Sequence, residues 1–213
     1  MIRAEVVVEL DGREVHRGES KSFVQNFGKI LFAILNGTGG VSTGYSGSVS
    51  SATVQKPDGY TATVHGEYYI ISAGTEDIES GGTAMGFNAR AGEDTWGILV
   101  GSGSDSVSPT QYNLSAKIPH GTDPGKLYYD THAITSSYSD TSSYVEIARS
   151  FINRSNQPVT VREVGLFARN RYQYRYGIEV DVIFMIARDV LPNPVTVNPL
   201  GSLLVRYRVI LTT

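Results

Sequence analysis

Both ends of the chain alternate strictly. In residues 2–10, Ile2, Ala4, Val6, Val8 and Leu10 point one way, and Arg3, Glu5 and Glu9 point the other. In residues 203–211, Leu203, Val205, Tyr207, Val209 and Leu211 share one face, with Arg206 and Arg208 on the opposite one. A period of two is strand geometry, with one face on a core and one in water. Both ends are therefore expected to be tied into a sheet.

Composition extends this reading to the whole chain. Charged residues are 18% of the 213, below the usual ~25% of globular chains. The 23 glycines and 13 tyrosines, with many Ser, Thr and Val, suit short strands joined by turns. One large all-β domain accounts for this length. There is no cysteine, so no disulfide framework and no thiolate zinc site can form. A net charge of −3 argues against a surface built to neutralise many phosphates, and no nucleic-acid partner is expected. The opening MIRAEVVVELDG has no signal-peptide core, and no apolar run approaches the ~20 residues that span a bilayer. Synthesis in the cytosol without membrane insertion is the expectation.

Asp11-Gly12 predicts a hairpin turn, with residues 13–17 returning as a strand. Over residues 22–36 the period changes. Phe23, Phe27, Ile30, Leu31, Ile34 and Leu35 recur at three- and four-residue spacing, the stripe of an amphipathic helix. Ser22 and Gln25 fit a capping box, and Gly37 fits a helix stop. Such a helix either plugs the protein's own core or docks on a neighbouring subunit. Residues 36–51 are rich in Gly and Ser and read as a loop. Strands are predicted over 52–55, 60–64 and 67–72, with Pro57-Asp58-Gly59 as a turn. Residues 38–93 read as an elaboration or an inserted subdomain. Further strands are predicted over 96–100, 145–152, 159–167 and 182–190.

Motifs for chemistry are sparse. His120, Asp123, Asp130 and His132 cluster on a predicted loop, but their spacing matches no metal motif. No metal, no cofactor and no catalytic residue is assigned. Residues 101–104, Gly-Ser-Gly-Ser, follow a strand without a helix after them and read as a tight turn. Glu163 and Arg188 each interrupt an apolar strand. They either alternate outward or form a buried ion pair between adjacent strands, with catalysis as the remaining alternative. Tyr172, Tyr174 and Tyr176 alternate with Arg171, Gln173 and Arg175, which suits a hairpin, an intersubunit or receptor contact, or base stacking.

An ordered series of fragments then runs through the second half. It begins with Trp96-Gly97-Ile98-Leu99-Val100-Gly101 and passes through Val145-Glu146-Ile147-Ala148-Arg149-Ser150-Phe151-Ile152-Asn153. It continues with Glu163-Val164-Gly165-Leu166-Phe167, Ala187-Arg188-Asp189-Val190 and Pro194-Val195-Thr196-Val197, and closes on Leu203-Leu204-Val205-Arg206-Tyr207. This order resembles a family of virion structural proteins of tailed bacterial and archaeal viruses. The resemblance covers residues 95–213, more weakly 1–35, and not the middle. The long 169–182 segment departs from it. The resemblance implies a non-enzymatic tail, fibre or capsid-surface decoration protein in the virion, acting as a homo-oligomer and with other virion proteins. The expected fold is a two-sheet, jelly-roll-like β-sandwich over residues 1–213 with one N-terminal helix. The alternative is a receptor- or glycan-binding module of a viral adhesin, since Tyr-rich loops suit sugar stacking on a host surface. An enzyme such as a depolymerase would need converging carboxylates in a cleft.

Overall fold

The computed structural model describes residues 2–20, 23–35, 51–65, 84–174 and 178–212. The fold is all-β, with one α-helix among the described residues. Strands β1 (Ile2–Leu10) and β2 (Arg13–Glu19) are followed by α1 (Gln25–Leu35) and the short strands β3 (Ser51–Gln55), β4 (Thr61–His65) and β5 (Ala84–Gly86). Then come β6 (Gly97–Gly101), β7 (Tyr128–Tyr138), β8 (Ser142–Ile152), β9 (Val159–Tyr174), β10 (Ile178–Val197) and β11 (Ser202–Thr212).

The terminal strands pair with each other, antiparallel, from Ile2 opposite Leu211 to Leu10 opposite Leu203. They form the middle of a five-stranded sheet ordered β2-β1-β11-β8-β7. Asp11 and Gly12 both take positive φ, 48° and 78°, as the two-residue turn of a right-twisted hairpin requires. The second sheet runs β10-β9, and both β5 and β6 pair along the other side of β9. A separate hairpin joins β3 and β4. Its turn has Gly59 at φ 86°, and the Asp58 carboxylate accepts from the Tyr60 amide at 3.0 Å.

Alternation decides which residues enter the core. Val6, Val8, Leu203, Val205, Tyr207, Ile147, Phe151 and Tyr129 on the first sheet share one buried cluster with Ile98, Val100, Val164 and Leu166 on the second. Val54 and Val64 of the β3–β4 hairpin belong to the same cluster. Across the sheets, the Tyr207 hydroxyl donates to the Val164 carbonyl (3.3 Å) and to the Asp189 carboxylate (3.1 Å). On the outer face of the first sheet, the arginines and glutamates interlock. Arg17 binds Glu5 and Glu14, Arg206 binds Glu9, and Arg208 binds Glu146. Val7 lies in register between Arg17 and Arg206 and is fully buried on that face, as long arginine stems allow.

The helix packs on the second sheet and the small hairpin, with Ile30 and the preceding Val24 buried and Phe27 half-buried and stacked on Phe23 at 4.4 Å. Ser22, Gly37 and the side chains of Leu31, Ile34 and Leu35 lie outside the described residues, as does the strand predicted over 67–72. One helical residue was not anticipated. Asn26 is buried, accepts from the Gln55 amide at 3.0 Å, and donates to the carbonyls of Gln55 (2.9 Å) and Met185 (3.2 Å). Its amide thus bridges α1, β3 and β10.

Three strands differ from expectation. Residues 128–138, the first five of which read as part of a loop, form β7; the segment is exposed on both faces beyond His132, so alternation does not reveal it. Strands β9 and β10 run well beyond 167 and before 182, pairing Tyr172 with Val180 and Tyr174 with Ile178. Replacing Asn26 with Ala leaves three main-chain groups without their partner. It should cost about 1–3 kcal/mol, the penalty of unsatisfied buried groups, read from urea unfolding midpoints.

Candidate functional site

Two buried polar centres and one open edge stand out. The first centre is the Glu163–Arg188 pair. β9 and β10 are neighbours, with Glu163 opposite Val190 and Arg188 opposite Gly165, so the two side chains meet diagonally on one face. Both are fully buried, and Arg188 Nε donates to Glu163 Oε2 at 2.7 Å. The structure therefore selects the buried pair over outward alternation. Every other bond of the pair goes to one loop. Glu163 accepts from the amides of Gly103 (3.2 Å), Ser115 (3.1 Å) and Ala116 (2.8 Å). Arg188 donates to the Asp105 carbonyl (3.0 Å), Gln111 Oε1 (3.0 Å) and Ser115 Oγ (2.9 Å).

This anchoring corrects the tight turn expected at residues 101–104. The chain leaves β6 there, runs out, and returns beside itself. The Ser102 amide donates to the Ala116 carbonyl (2.8 Å), and the Ile118 amide to the Val100 carbonyl (3.0 Å). The glycines are needed for space. A Cβ on Gly101 or Gly103 would stand 2.4 or 2.6 Å from Glu163 Oε1.

The second centre gathers Tyr129, His132 and Arg149 from the first sheet. They close the free side of β6. The Ile98 amide donates to His132 Nε2 (2.6 Å), and Arg149 Nη1 donates to the Ile98 carbonyl (3.1 Å). The Tyr129 hydroxyl lies 3.4 Å from both the amide and the carbonyl of Val100 and donates to the Ile118 carbonyl at 2.6 Å. Three side chains thus stand where a neighbouring strand would pair. Arg149 is buried, yet its acceptors are all main-chain carbonyls, adding Asp130 (2.8 Å), Arg90 (3.1 Å) and Glu93 (2.5 Å). Its guanidinium also lies over the Tyr129 ring at 4.7 Å. Burial pushes its pKa down to about 10, while Tyr129 and the acids Glu93, Asp94 and Asp130 pull it up. It stays charged at neutral pH.

His132 has a defined tautomer. Nε2 accepts from the Ile98 amide, so the proton sits on Nδ1, which donates to the Ala89 carbonyl at 3.1 Å. Burial first, and the Arg149 charge second, lower its pKa from 6.5 to about 4. Gly97, at φ 82°, makes room for the ring; a Cβ there would lie 2.3 Å from it.

The structure disperses the loop cluster considered for a metal. His132 is spent as above, and His120 accepts from the Tyr129 amide through Nδ1 at 3.1 Å. Asp123 pairs with Lys126 at 2.7 Å, and Asp130 Oδ1 accepts from the Thr131 amide at 2.8 Å. Among the described residues, no three His, Asp or Glu side chains are placed to hold an ion. A cleft is lined by residues that include Leu99, Phe167 and Ile183 together with Lys56 and Lys117. Those two cations are paired with Asp58 (2.7 Å) and Asp94 (3.4 Å). The side chains of Tyr172 and Tyr174, and all of Tyr176, lie outside the described residues.

Arg149 is a buried charged residue that the sequence reading missed, although a signal is there. It shares parity with Val145, Ile147 and Phe151, so alternation places a charge on the inward face.

The open edge belongs to β7. It is the last strand of the five-stranded sheet, and Ala133 to Tyr138 are all exposed. Several apolar side chains on the inward face of that end of the sheet are also uncovered, among them Ile134 at 45%, Val145 at 39%, Val209 at 41% and Leu211 at 43%.

Removing one partner of the first centre strands the other charge. Glu163→Gln should destabilise by about 3–5 kcal/mol in urea unfolding, and hydrogen exchange should quicken at the amides of Gly103, Ser115 and Ala116. The second centre carries a pH dependence. The folded pKa of His132 lies below the unfolded one, so the unfolded chain binds the proton first. Its contribution is present in full above pH ~6.5, declines as pH falls and is gone below about 4. Over that window it amounts to about 3 kcal/mol. The difference in stability between the parent and His132→Gln, measured from pH 7.5 to 4, should shrink as pH falls.

Set beside family models, curated proteins and solved structures, the chain matches none of them.

Proposed function

We propose that the chain is a non-enzymatic structural component of a tailed-virus virion, on its tail, its fibre or its capsid surface, working by self-assembly and by contact with other virion proteins. The ordered fragments from Trp96 to Tyr207 that resemble such proteins supply the viral part of the reading. The assembly part rests on one observation: the buried ionisable groups Glu163, Arg188, His132 and Arg149 direct their bonds into the fold, while an edge strand and an apolar sheet end stand open. Groups that hold loops in place serve rigidity, and an open edge serves association. In the same reading the five-stranded and four-stranded sheets are the two layers of a β-sandwich, jelly-roll-like, closed on its far side by α1 and the β3–β4 hairpin.

A second reading has a specific observation behind it. Tyr60 is 73% exposed and Tyr112 is 37% exposed, and Tyr112 packs on Gly59 in the hairpin turn that also lines the cleft through Asp58. Exposed rings beside polar groups are the furniture of a glycan-binding site. Such a module would bind host polysaccharide as a monomer.

Light scattering or native mass spectrometry at micromolar concentration and above should give a defined oligomer, and mass spectrometry should find the protein in purified particles. A strict monomer absent from particles would defeat the structural reading, and monomeric binding to cell-surface polysaccharide would favour the second.

A further inference from the structure

We infer that two copies of this chain join through β7, edge to edge and antiparallel, about a two-fold axis at Ser136. The inference rests on the assembly reading above and names its contact.

The strand's own hydrogen bonds define which groups are free. At one end the His132 amide points away from β8, to the Ala89 carbonyl at 3.2 Å. At the other end the Ser139 amide points toward β8, to the Ser142 carbonyl at 2.8 Å. The register from His132 opposite Arg149 to Tyr138 opposite Ser143 is unbroken. In an antiparallel ladder such groups alternate. The main-chain groups of Ile134, Ser136 and Tyr138 therefore face outward, and no described strand pairs with them.

Three other edges, those of β2, β10 and β6, are protected and this one is not. β2 carries Arg13, Glu14, Arg17 and Glu19, and β1 opposite it has a register shift between Val8 and Glu9. The outer side of β10 receives the Val24 amide at the Ile186 carbonyl (3.0 Å), and further along it holds Pro192 and Pro194. The free side of β6 is closed by Tyr129, His132 and Arg149. From Ala133 to Ser139, β7 has no charge, no proline and no bulge, and the first charge beyond is Asp140 at the tip of its turn. Those are the devices that keep edges apart.

The occupant that fits is a second copy, because the segment complements itself. With Ser136 on the axis, Ile134 faces Tyr138 of the second copy, and Tyr138 faces its Ile134. A β-branched residue opposite an aromatic one is a favourable cross-strand pair, and the small Ser136 meets itself where bulk would clash. A two-fold contact sets any charge at its centre against its own kind, and this strand has none there. Pairing also preserves the face of the sheet. Val209, Val145 and Ser136 form one rung, and the second copy continues it in reverse order, so the exposed apolar ends of both sheets become one strip. The two five-stranded sheets become one of ten strands.

Because the chain lacks cysteine, the register can be tested by cross-linking. Facing Cα atoms in a hydrogen-bonded pair are about 5.5 Å apart, within disulfide reach. Ser136→Cys should therefore give a covalent dimer under mild oxidation. Ser137→Cys would stand about 8 Å from its mate and should link at least five-fold less. In parallel, Ser136→Pro removes an outward amide and spares the bonds to β8. It should weaken dimerisation at least ten-fold by light scattering while leaving the monomer's melting temperature close to the parent's. Equal cross-linking at both positions, or an undiminished dimer in a folded Ser136→Pro, overturns the inference. If Ser136→Pro fails to fold, the cross-linking pair decides alone. An oligomer that survives with no Ser136→Cys link sinks the β7 contact and leaves the assembly reading standing. A strict monomer sinks both.

Discussion

The Glu163–Arg188 pair is the interaction on which the second sheet and its long loop depend. Burying two opposite charges carries a desolvation cost that the attraction between them only partly returns. What makes the arrangement sound is that the lone pairs of Glu163 and three further N–H groups of Arg188 also find partners. Three loop amides and three loop acceptors converge on two side chains that are themselves held by adjacent strands. The loop from Ser102 to Ala116 is polar, with Leu114 as its buried apolar anchor. Hydrophobic burial alone could not order a segment of that composition. The ion pair does so, and it asks for glycine at 101 and 103 in return.

The second centre applies the same logic to a sheet edge. β6 is only five residues long and pairs on one side with β9. Its other side carries main-chain groups inside the core, where they cannot remain unpaired. His132 and Arg149 serve the amide and carbonyl of Ile98, the Tyr129 hydroxyl accepts from the Val100 amide, and the Ile118 amide donates to the Val100 carbonyl. The neutral histidine is essential, since its bare Nε2 is the acceptor for Ile98. Burial and the Arg149 charge lower its pKa, which keeps it in that neutral form at neutral pH.

Much of this fold was legible in the sequence, and the failures share a cause. Strands with one wet face announce themselves by alternation, as β1 and β11 do. The Asp11-Gly12 turn and the helix around Phe27 and Ile30 were equally plain. β7 was hidden because its far half is exposed on both faces, so its pattern holds no contrast. Glu163 and Arg188 were visible as anomalies in apolar strands, but only pairing register shows that they meet. Asn26 lay on the helix beside the apolar stripe, and nothing local says that Gln55 and Met185 would come to it. Arg149 kept the parity of its apolar neighbours, which marks it as inward-facing once β8 is recognised.

The fold thus treats its edges unequally, and the inequality bears on association. Forming a contact costs less when the surfaces are already held in their bound shape. β7 meets that condition from one end. Tyr129 and His132 fix its first residues in the buried centre, while β8 supports it along its length. The exposed half beyond Ala133 is therefore an extension of a rigid sheet, with its hydrogen-bonding groups already in line. A loose segment of the same composition would have to be ordered before it could pair. The two buried centres and the open edge are in this sense one design, in which internal charges fix the loops and strands that association needs rigid.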